Sequence, residues 1–131
     1  MTEKGKYDFD FTGFLVLVVE DNTISFKLIE AMLSRVNLTL LHASDGQMAI
    51  NLCRERADID IVLMDIQLPI MNGLEATRII REFQPELPIF ATTANAFSDD
   101  QAACLAAGCT GYITKPIDFS KLFTLIESIL K

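Results

Sequence analysis

The chain has 131 residues, enough for one domain with a substantial core, and half of them are hydrophobic, which argues against disorder. Its formal net charge of −7 argues against direct binding to nucleic acid or to an anionic membrane, because both favour basic patches. No apolar run approaches the roughly 18 residues of a membrane-spanning helix. The three cysteines form no CxxC pair, which is typical of reduced thiols, so we expect a cytoplasmic location.

The first segment of the chain, residues 1–12, differs from the rest. Its first ten residues are polar, and it lacks the apolar centre of a signal peptide. We interpret residues 1–12 as a leader or linker, which leaves residues 13–131 as one domain.

Strand-length apolar segments alternate with segments of helical period in the first half of that domain. The predicted elements are a strand at Phe14–Val19, a helix capped by Asn22 or Thr23 that runs to about Val36, a strand at Leu38–His42 and a helix starting at Ser44 or Asp45. The residues expected to face the core are Leu28, Ile29, Met32, Leu33 and Val36 in the first helix, and Met48, Ala49, Leu52 and Cys53 in the second.

The second half continues the same alternation. The predicted elements are a strand at Ile59–Met64, a helix from Gly73 to before Pro85, a strand at Ile89–Thr93, a helix capped by Ser98 that ends at Gly108, a strand at Gly111–Thr114 and a helix from Asp118 or Ser120 onward. Five strand–helix units predict an α/β domain with a parallel sheet and helices on both faces.

Charged side chains follow the predicted strands. Glu20 and Asp21 end the first strand, Asp65 ends the third, and Lys115 follows the fifth. The carboxyl ends of parallel strands meet at the edge of an α/β sheet where ligands bind. Three carboxylates there would repel each other, and a hard divalent cation such as Mg²⁺ would compensate. The set therefore predicts a site that holds Mg²⁺ and accepts a phosphoryl group on Asp65 as an aspartyl phosphate.

Thr93 and Gln67 join Lys115 and the three acids in this predicted site. Thr93 and Lys115 would each contact a phosphoryl oxygen, and the backbone carbonyl of Gln67 would be a third protein ligand for the metal. Thr92 competes with Thr93 for the hydroxyl role, although strand alternation sends the two to opposite faces. Each residue alone has an ordinary explanation as a turn, a helix cap or a solvated loop residue, and it is the conjunction in chain order that favours a site.

These residues occur in segments that resemble the response-regulator receiver domain of two-component signalling. The segments that carry the resemblance are Leu17–Asn22, Met64–Glu75, Ala91–Ala96, Ala106–Gly108 and Gly111–Pro116. The resemblance covers nearly everything from Phe14 to Lys131. Glu20 stands where the family often has Asp, and both occur. The implied fold is a flavodoxin-like (βα)5, doubly wound parallel sheet with strand order 2-1-3-4-5 in a single domain.

The resemblance also implies a role for each site residue. Asp65 would be the phosphoacceptor, and Mg²⁺, which Mn²⁺ can replace, would be bound by Glu20, Asp21, Asp65 and the backbone carbonyl of Gln67. The phosphoryl-binding and switch residues would be Thr93, whose hydroxyl moves to the phosphoryl group, Ala94, Tyr112, whose ring rotates inward, Lys115 and Pro116, which follows a cis bond. A receiver of this kind catalyses its own phosphorylation and dephosphorylation.

The sequences of Asp65–Ala76 and Ala94–Ser98 are most similar to those of receivers at the C-terminus of hybrid sensor histidine kinases. The resemblance thus implies a two-component phosphorelay, with a histidine kinase or histidine-phosphotransfer domain as the phosphohistidine donor. The parent would be a histidine kinase (EC 2.7.13.3), anchored in a membrane that this domain does not itself touch. A homodimer would form through the fourth helix, fifth strand and fifth helix.

Other functions stay open. The chain could be a stand-alone single-domain response regulator, or an interaction module that takes no phosphate, although such a module would normally have lost part of the acid set. A phosphohydrolase with an aspartate nucleophile would want an acid at Gln67, and a flavin-binding domain would want a phosphate loop where Glu20 and Asp21 stand.

Three more residues have a predicted role or surroundings. Ile24 and Phe26 are candidates for an apolar rim that docks a helical phosphodonor, and the alternative for Phe26 is partial burial against a neighbouring loop. His42, the only histidine, is interpreted as a structural or exposed residue away from the motifs.

Overall fold

The computed structural model of the chain describes residues 9–94 and 98–131, and within them five strands alternate with five helices. The elements in chain order are β1 Leu15–Val19, α1 Thr23–Ser34, β2 Thr39–Ala43, α2 Gly46–Glu55, β3 Ile61–Asp65, α3 Gly73–Phe83, β4 Ile89–Thr93, α4 Ser98–Ala107, β5 Gly111–Thr114 and α5 Phe119–Leu130. All neighbouring strands are parallel, and their order is β2-β1-β3-β4-β5. The predicted flavodoxin-like 2-1-3-4-5 fold is confirmed.

The three central strands of the sheet are buried because helices cover both faces of the sheet. Every residue of β1, β3 and β4 is buried, as expected for strands at the centre of a doubly wound sheet. On one face α1 and α5 pack through Ile29, Leu33, Phe123 and other apolar side chains. On the other face α2 and α3 pack through Ile50 and Ile80, among others. In the described part of the chain, no helix has both the length and the apolar character needed to cross a membrane.

Short polar side chains cap four of the helices. Asn22, Asp45, Asn72 and Asp118 each accept a hydrogen bond from the backbone N–H three residues later, which satisfies a donor left free at the helix start. Three of these caps are among those predicted from sequence. Ser98 is the first residue of α4 rather than the residue before it, and the position ahead of it lies outside the described residues.

Two predicted core positions are wrong. Leu28 is 57% exposed and Met48 is 42% exposed, although the spacing of apolar residues placed both inside. In α2 the buried position next to Ala49 belongs to Ile50, which has 2% exposure. Helical period alone leaves the orientation of the apolar stripe uncertain by one residue, because the packing against the sheet decides which edge is covered.

The first described residues pack against the domain, although the sequence interpretation assigned them to a leader. Phe11 is fully buried, and its ring lies 5.9 Å from that of Phe9 and 6.3 Å from that of Phe123. The Phe11 N–H donates to the carbonyl of Val36 at 2.7 Å. The ammonium of Lys131, beyond α5, donates to the carbonyl of Asp10 at 2.6 Å. The packed unit therefore extends to Phe9.

Replacing Phe11 by Ala is expected to lower the free energy of unfolding by about 3–5 kcal/mol, because it empties a fully buried aromatic site. Urea denaturation followed by far-ultraviolet circular dichroism measures this change. Leu105→Ala is the control, since that side chain is 58% exposed and its loss should change stability by about 0.5 kcal/mol or less. Equal effects of the two variants would mean that the segment before β1 adds nothing to the fold.

Candidate functional site

The strand order brings the predicted site residues to one edge of the sheet. β1 and β3 are neighbours, as are β3 and β4, and β4 and β5, and all run in the same direction. Their carboxyl ends therefore lie side by side, with Glu20 after β1, Asp65 at the end of β3, Thr93 at the end of β4 and Lys115 after β5. This is the edge where ligands bind in open α/β sheets.

Three carboxylates form a cluster at that edge. Glu20, Asp21 and Asp65 each offer an oxygen, and these atoms lie within 4.8 Å of one another. Glu20 is 2% exposed and Asp65 is 3% exposed, whereas Asp21 is exposed. Charges this close repel in a partly desolvated site, and hard oxygen donors are the ligands that Mg²⁺ prefers. The donor set therefore fits a hard divalent cation.

Lys115 supplies the positive charge that the structure itself brings to the cluster. Its Nζ lies 3.3 Å from Oδ2 of Asp65 and 3.4 Å from Oε1 of Glu20. With the three carboxylates ionised, one ammonium leaves two negative charges in the cluster. A divalent cation would balance that charge.

The pKa of the Glu20 carboxyl is shifted by its buried position in this cluster. Burial raises the pKa of Glu20, a hydrogen bond from the Asn22 N–H to Oε2 lowers it, and the Asp65 carboxylate raises it again. The net effect is a pKa above the usual range of a glutamate. Bringing a cation next to Glu20 would favour its ionised form and relieve this penalty.

The loop after β3 folds back onto Asp65. Oδ1 of Asp65 accepts a hydrogen bond from the Gln67 N–H at 2.9 Å, and the Gly73 N–H donates to the carbonyl of Ile66 at 3.2 Å. A Cβ at position 73 would collide with the backbone oxygen of Asp65 and lie 2.9 Å from Cα of Ile66. Glycine at position 73 therefore allows α3 to start against the backbone of the acceptor aspartate.

A backbone hydrogen bond connects the end of β4 to Lys115, the residue after β5. Thr93 is 1% exposed, and its carbonyl accepts from the Lys115 N–H at 2.7 Å. Thr92 is also buried and pairs with Asp65, whereas Thr93 pairs with Thr114. Ala94 follows as an exposed residue, and residues 95–97 lie outside the described part of the chain.

Two other predicted residues lie on or next to β5. Tyr112 is 36% exposed, so part of this residue reaches the surface. The Lys115–Pro116 peptide bond is cis, as the resemblance implies.

His42 lies beside the acid pair, and the interpretation that placed it away from the motifs is wrong. Its Nε2 donates to the backbone carbonyl of Glu20 at 2.8 Å. Its ring stacks on Phe26 with centroids 3.7 Å apart and planes 17° apart. Phe26 is thus partly buried against β2 rather than against a loop. The expected strand order could have placed His42 near the acid pair, because a residue near the end of β2 must lie beside the end of β1.

An apolar groove opens next to the site, between α1 and the segment after β5. It has a volume of about 390 Å³, and its lining residues are Glu20, Ser25, Leu28, Ile29, Lys115, Pro116, Ile117 and Phe119. Leu28 is partly exposed there, and Ile24, one turn earlier on α1, is 82% exposed. The sequence predicted Ile24 as a docking residue, and it assigned Leu28, which lines the groove, to the core.

A family model described as the response regulator receiver domain matches residues 16–127. Among curated proteins, Hybrid signal transduction histidine kinase I of Dictyostelium discoideum is 40% identical over 121 residues. That match covers 86% of this chain but only 7% of the kinase. Polar-differentiation response regulator DivK of Brucella ovis is 34% identical over 117 residues, which cover 88% of this chain and 94% of DivK.

Two solved structures are similar in fold and sequence. The receiver domain of sensor histidine kinase PA1611 from Pseudomonas aeruginosa, with a magnesium ion coordinated in its active-site cleft, has a TM-score of 0.83 and 37% identity. It covers 91% of this chain and 98% of that one. The co-crystal structure of the Saccharomyces cerevisiae phosphotransfer protein Ypd1 with the Ssk1 receiver domain has a TM-score of 0.79 and 31% identity, covering 91% and 88% of the two chains.

Proposed function

This chain belongs to the response regulator receiver domain family, and we propose that Asp65 is the residue that accepts the phosphoryl group. The observation that carries the proposal is the position of its buried carboxylate, 3.3 Å from the Lys115 ammonium and beside Glu20 and Asp21. An Asp65 oxygen would form a bond to phosphorus while the bond from phosphorus to the donor histidine nitrogen breaks. That nitrogen keeps the bonding electrons and takes up a proton, and an aspartyl phosphate results.

Glu20, Asp21, Asp65 and the backbone carbonyl of Gln67 would hold Mg²⁺, and Mn²⁺ would serve in its place. The carboxylate oxygens of Glu20, Asp21 and Asp65, which lie within 4.8 Å of one another, and their excess negative charge support these three ligands. Bound Mg²⁺ would neutralise charge on the transferring group. The magnesium ion in the similar PA1611 receiver domain is consistent with the assignment.

The chain's other site residues would bind the phosphoryl group on Asp65 and change conformation in response to it. Lys115, already between two carboxylates, would pair with a phosphoryl oxygen, and the Thr93 hydroxyl and the backbone at Ala94 would contact another. Tyr112, now 36% exposed, would then turn inward and change the face formed by α4, β5 and α5. A homodimer through this face is part of the same proposal.

The donor would be a phosphohistidine on a histidine kinase or a histidine-phosphotransfer domain. The Ssk1 receiver domain, which is similar to this chain, was crystallised with such a phosphotransfer protein. Similarity to the kinase of Dictyostelium favours a hybrid histidine kinase as parent, with residues 13–131 as its receiver domain and with Phe9 and Phe11 packed on it through Phe123. Similarity to nearly all of DivK supports a stand-alone response regulator as the second candidate.

The proposed function is tested with a small-molecule phosphodonor such as acetyl phosphate. Intact-protein mass spectrometry should show a gain of one phosphoryl group when Mg²⁺ is present and no gain when a chelator removes it. The adduct should disappear with hydroxylamine, which cleaves acyl phosphates. A gain that survives both treatments would point to another residue type and would contradict the proposal.

Ile24 is expected to contact the protein donor, because it is 82% exposed beside the groove between α1 and the segment after β5. Ile24→Ala should slow phosphotransfer from a phosphorylated histidine-phosphotransfer protein by about tenfold, the effect of losing one apolar interface contact of roughly 1.4 kcal/mol. Phe26, which stacks on His42, would belong to the same apolar docking surface as Ile24. Stopped-flow measurement of the transfer rate checks the effect.

The control for Ile24→Ala uses acetyl phosphate, which needs no docking surface, and the variant should accept phosphate from it at the wild-type rate. Leu105→Ala, an exposed leucine on α4, should leave both rates unchanged. Equal slowing of Ile24→Ala with the two donors would exclude a docking role.

A further inference from the structure

His42 makes two contacts that the proposed phosphoryl transfer does not explain. It is an exposed residue near the end of β2, yet its ring is held between a backbone carbonyl and an aromatic side chain. Both partners belong to the part of the chain around the acid pair.

The first contact concerns the backbone of Glu20. Regular pairing of β1 with β2 ends at Val19 and Ala43. Just beyond, the Glu20 N–H donates to the carbonyl of Ala43 at 3.0 Å, and the Glu20 carbonyl accepts from His42 Nε2 at 2.8 Å. A carbonyl can only accept, so the hydrogen must be on Nε2. The His42 side chain therefore holds the peptide group that joins Glu20 to Asp21.

The second contact concerns α1. Phe26 lies in the first turns of this helix, and its N–H donates to the carbonyl of Asn22 at 2.9 Å. Asn22 caps the same helix by accepting from the Ser25 N–H. Through the stack on Phe26, His42 ties α1 to β2, so the loop that carries Glu20 and Asp21 is held at its start and at its end.

We propose that His42 is a positioning residue that sets the orientation of the Glu20–Asp21 acid pair for metal binding. The inference rests on the proposed function, because it assumes that these carboxylates bind Mg²⁺. The physical reason is preorganisation. Carboxylates that repel each other lose affinity for a cation if their backbone can move apart, and groups behind the ligands prevent that movement.

The test compares two substitutions at position 42. His42→Phe keeps a flat ring for the stack on Phe26 but removes the donor to the Glu20 carbonyl. His42→Gln keeps an N–H donor on a side chain of similar length but removes the ring. Isothermal titration calorimetry with MgCl2 at neutral pH measures the Mg²⁺ affinity of each unphosphorylated protein. Thermal unfolding without metal measures its stability.

We expect His42→Phe to weaken Mg²⁺ binding by about five- to tenfold, at or below the low end of the range for outer partners of metal ligands. His42→Gln should recover most of the affinity. Thr39→Ala, an exposed substitution at the other end of β2, should bind Mg²⁺ like the wild type. The phosphorylation rate of His42→Phe with acetyl phosphate should be low at limiting Mg²⁺ and return to within about twofold of wild type at saturating Mg²⁺, because weaker binding is overcome by concentration.

Two outcomes would overturn the inference. One is wild-type Mg²⁺ affinity in His42→Phe, with or without a loss of metal-free stability, as a purely structural residue would show. The other is equally weak binding in folded His42→Phe and His42→Gln. In each case magnesium binding by the wild type would leave the proposed function intact, whereas a wild type that binds no Mg²⁺ would contradict both.

Discussion

Replacing Asp65 by Asn is expected to abolish phosphorylation of the domain, because a neutral amide replaces the carboxylate nucleophile. The wild type should gain one phosphoryl group from acetyl phosphate with Mg²⁺, and Asp65→Asn should gain none under the same conditions. Magnesium affinity should also fall, since one of the three clustered carboxylates is lost. Intact mass and calorimetric titration measure the two effects.

The control for Asp65→Asn is Asp58→Asn, which removes an exposed carboxylate that pairs with Arg56. This variant should gain the phosphoryl group at the wild-type rate. If Asp65→Asn were still phosphorylated at that rate, the acceptor would be another residue and the assignment of the site would be wrong.

Asp65→Asn should also change how the free energy of unfolding depends on pH. Burial, aided by the charge of Asp65, raises the pKa of Glu20 in the folded protein. A raised folded-state pKa contributes stability that is present in full below the unfolded pKa and is lost as the pH rises through the folded value. The metal-free wild type should therefore lose this contribution between acid and neutral pH. The loss should be smaller in Asp65→Asn, which lacks the neighbouring charge.

Replacing Gly73 by Ala is expected to cost more than about 3 kcal/mol of stability, which places it among the most damaging single substitutions in the chain. The added Cβ would collide with the backbone oxygen of Asp65 and with the side chain of Met64 at 2.9 Å. Backbone in the centre of a buried sheet has little room to move. Urea denaturation measures the loss, and the folded fraction should also accept phosphate poorly because the Asp65 loop is displaced.

Gly13 offers the matched control, because it separates backbone conformation from steric collision. Its φ is +92°, and nothing lies within 4 Å of an added Cβ. Gly13→Ala should therefore cost about 1–2 kcal/mol, the strain of a left-handed residue alone. A Gly73→Ala variant as stable as Gly13→Ala would show that the loop after β3 can relax away from Asp65.

Much of the fold could be predicted from local pattern. The bounds of β4 and β5 were predicted to the residue, since each is a short apolar run between clear turn signals. Asn22, Asp45 and Asp118 were each one of two residues predicted to begin a helix, because short polar side chains before an apolar period satisfy free helix donors. Strand–helix alternation then leaves few topologies, since crossovers between parallel strands are right-handed.

The errors lie where local pattern does not specify contacts. Leu28 was assigned to the core because it fits the helical period, yet it lines a surface groove. Phe26 and His42 were treated separately, although they form one stack. The contact between Phe11 and Phe123 is likewise not specified by local pattern, since the two residues lie far apart in the chain.

Sequence by itself determined the order of the elements, the parallel sheet and the identity of the acids, the hydroxyl and the lysine at the strand ends. These follow from hydrophobic period, which is a local property of the chain. Only the tertiary structure decided that Lys115 lies within 3.4 Å of both Glu20 and Asp65, that His42 holds the Glu20 carbonyl, and that Gly73 lies against the backbone of Asp65. Such contacts depend on strand order and register, which join residues far apart in the chain and are set by packing of the whole domain.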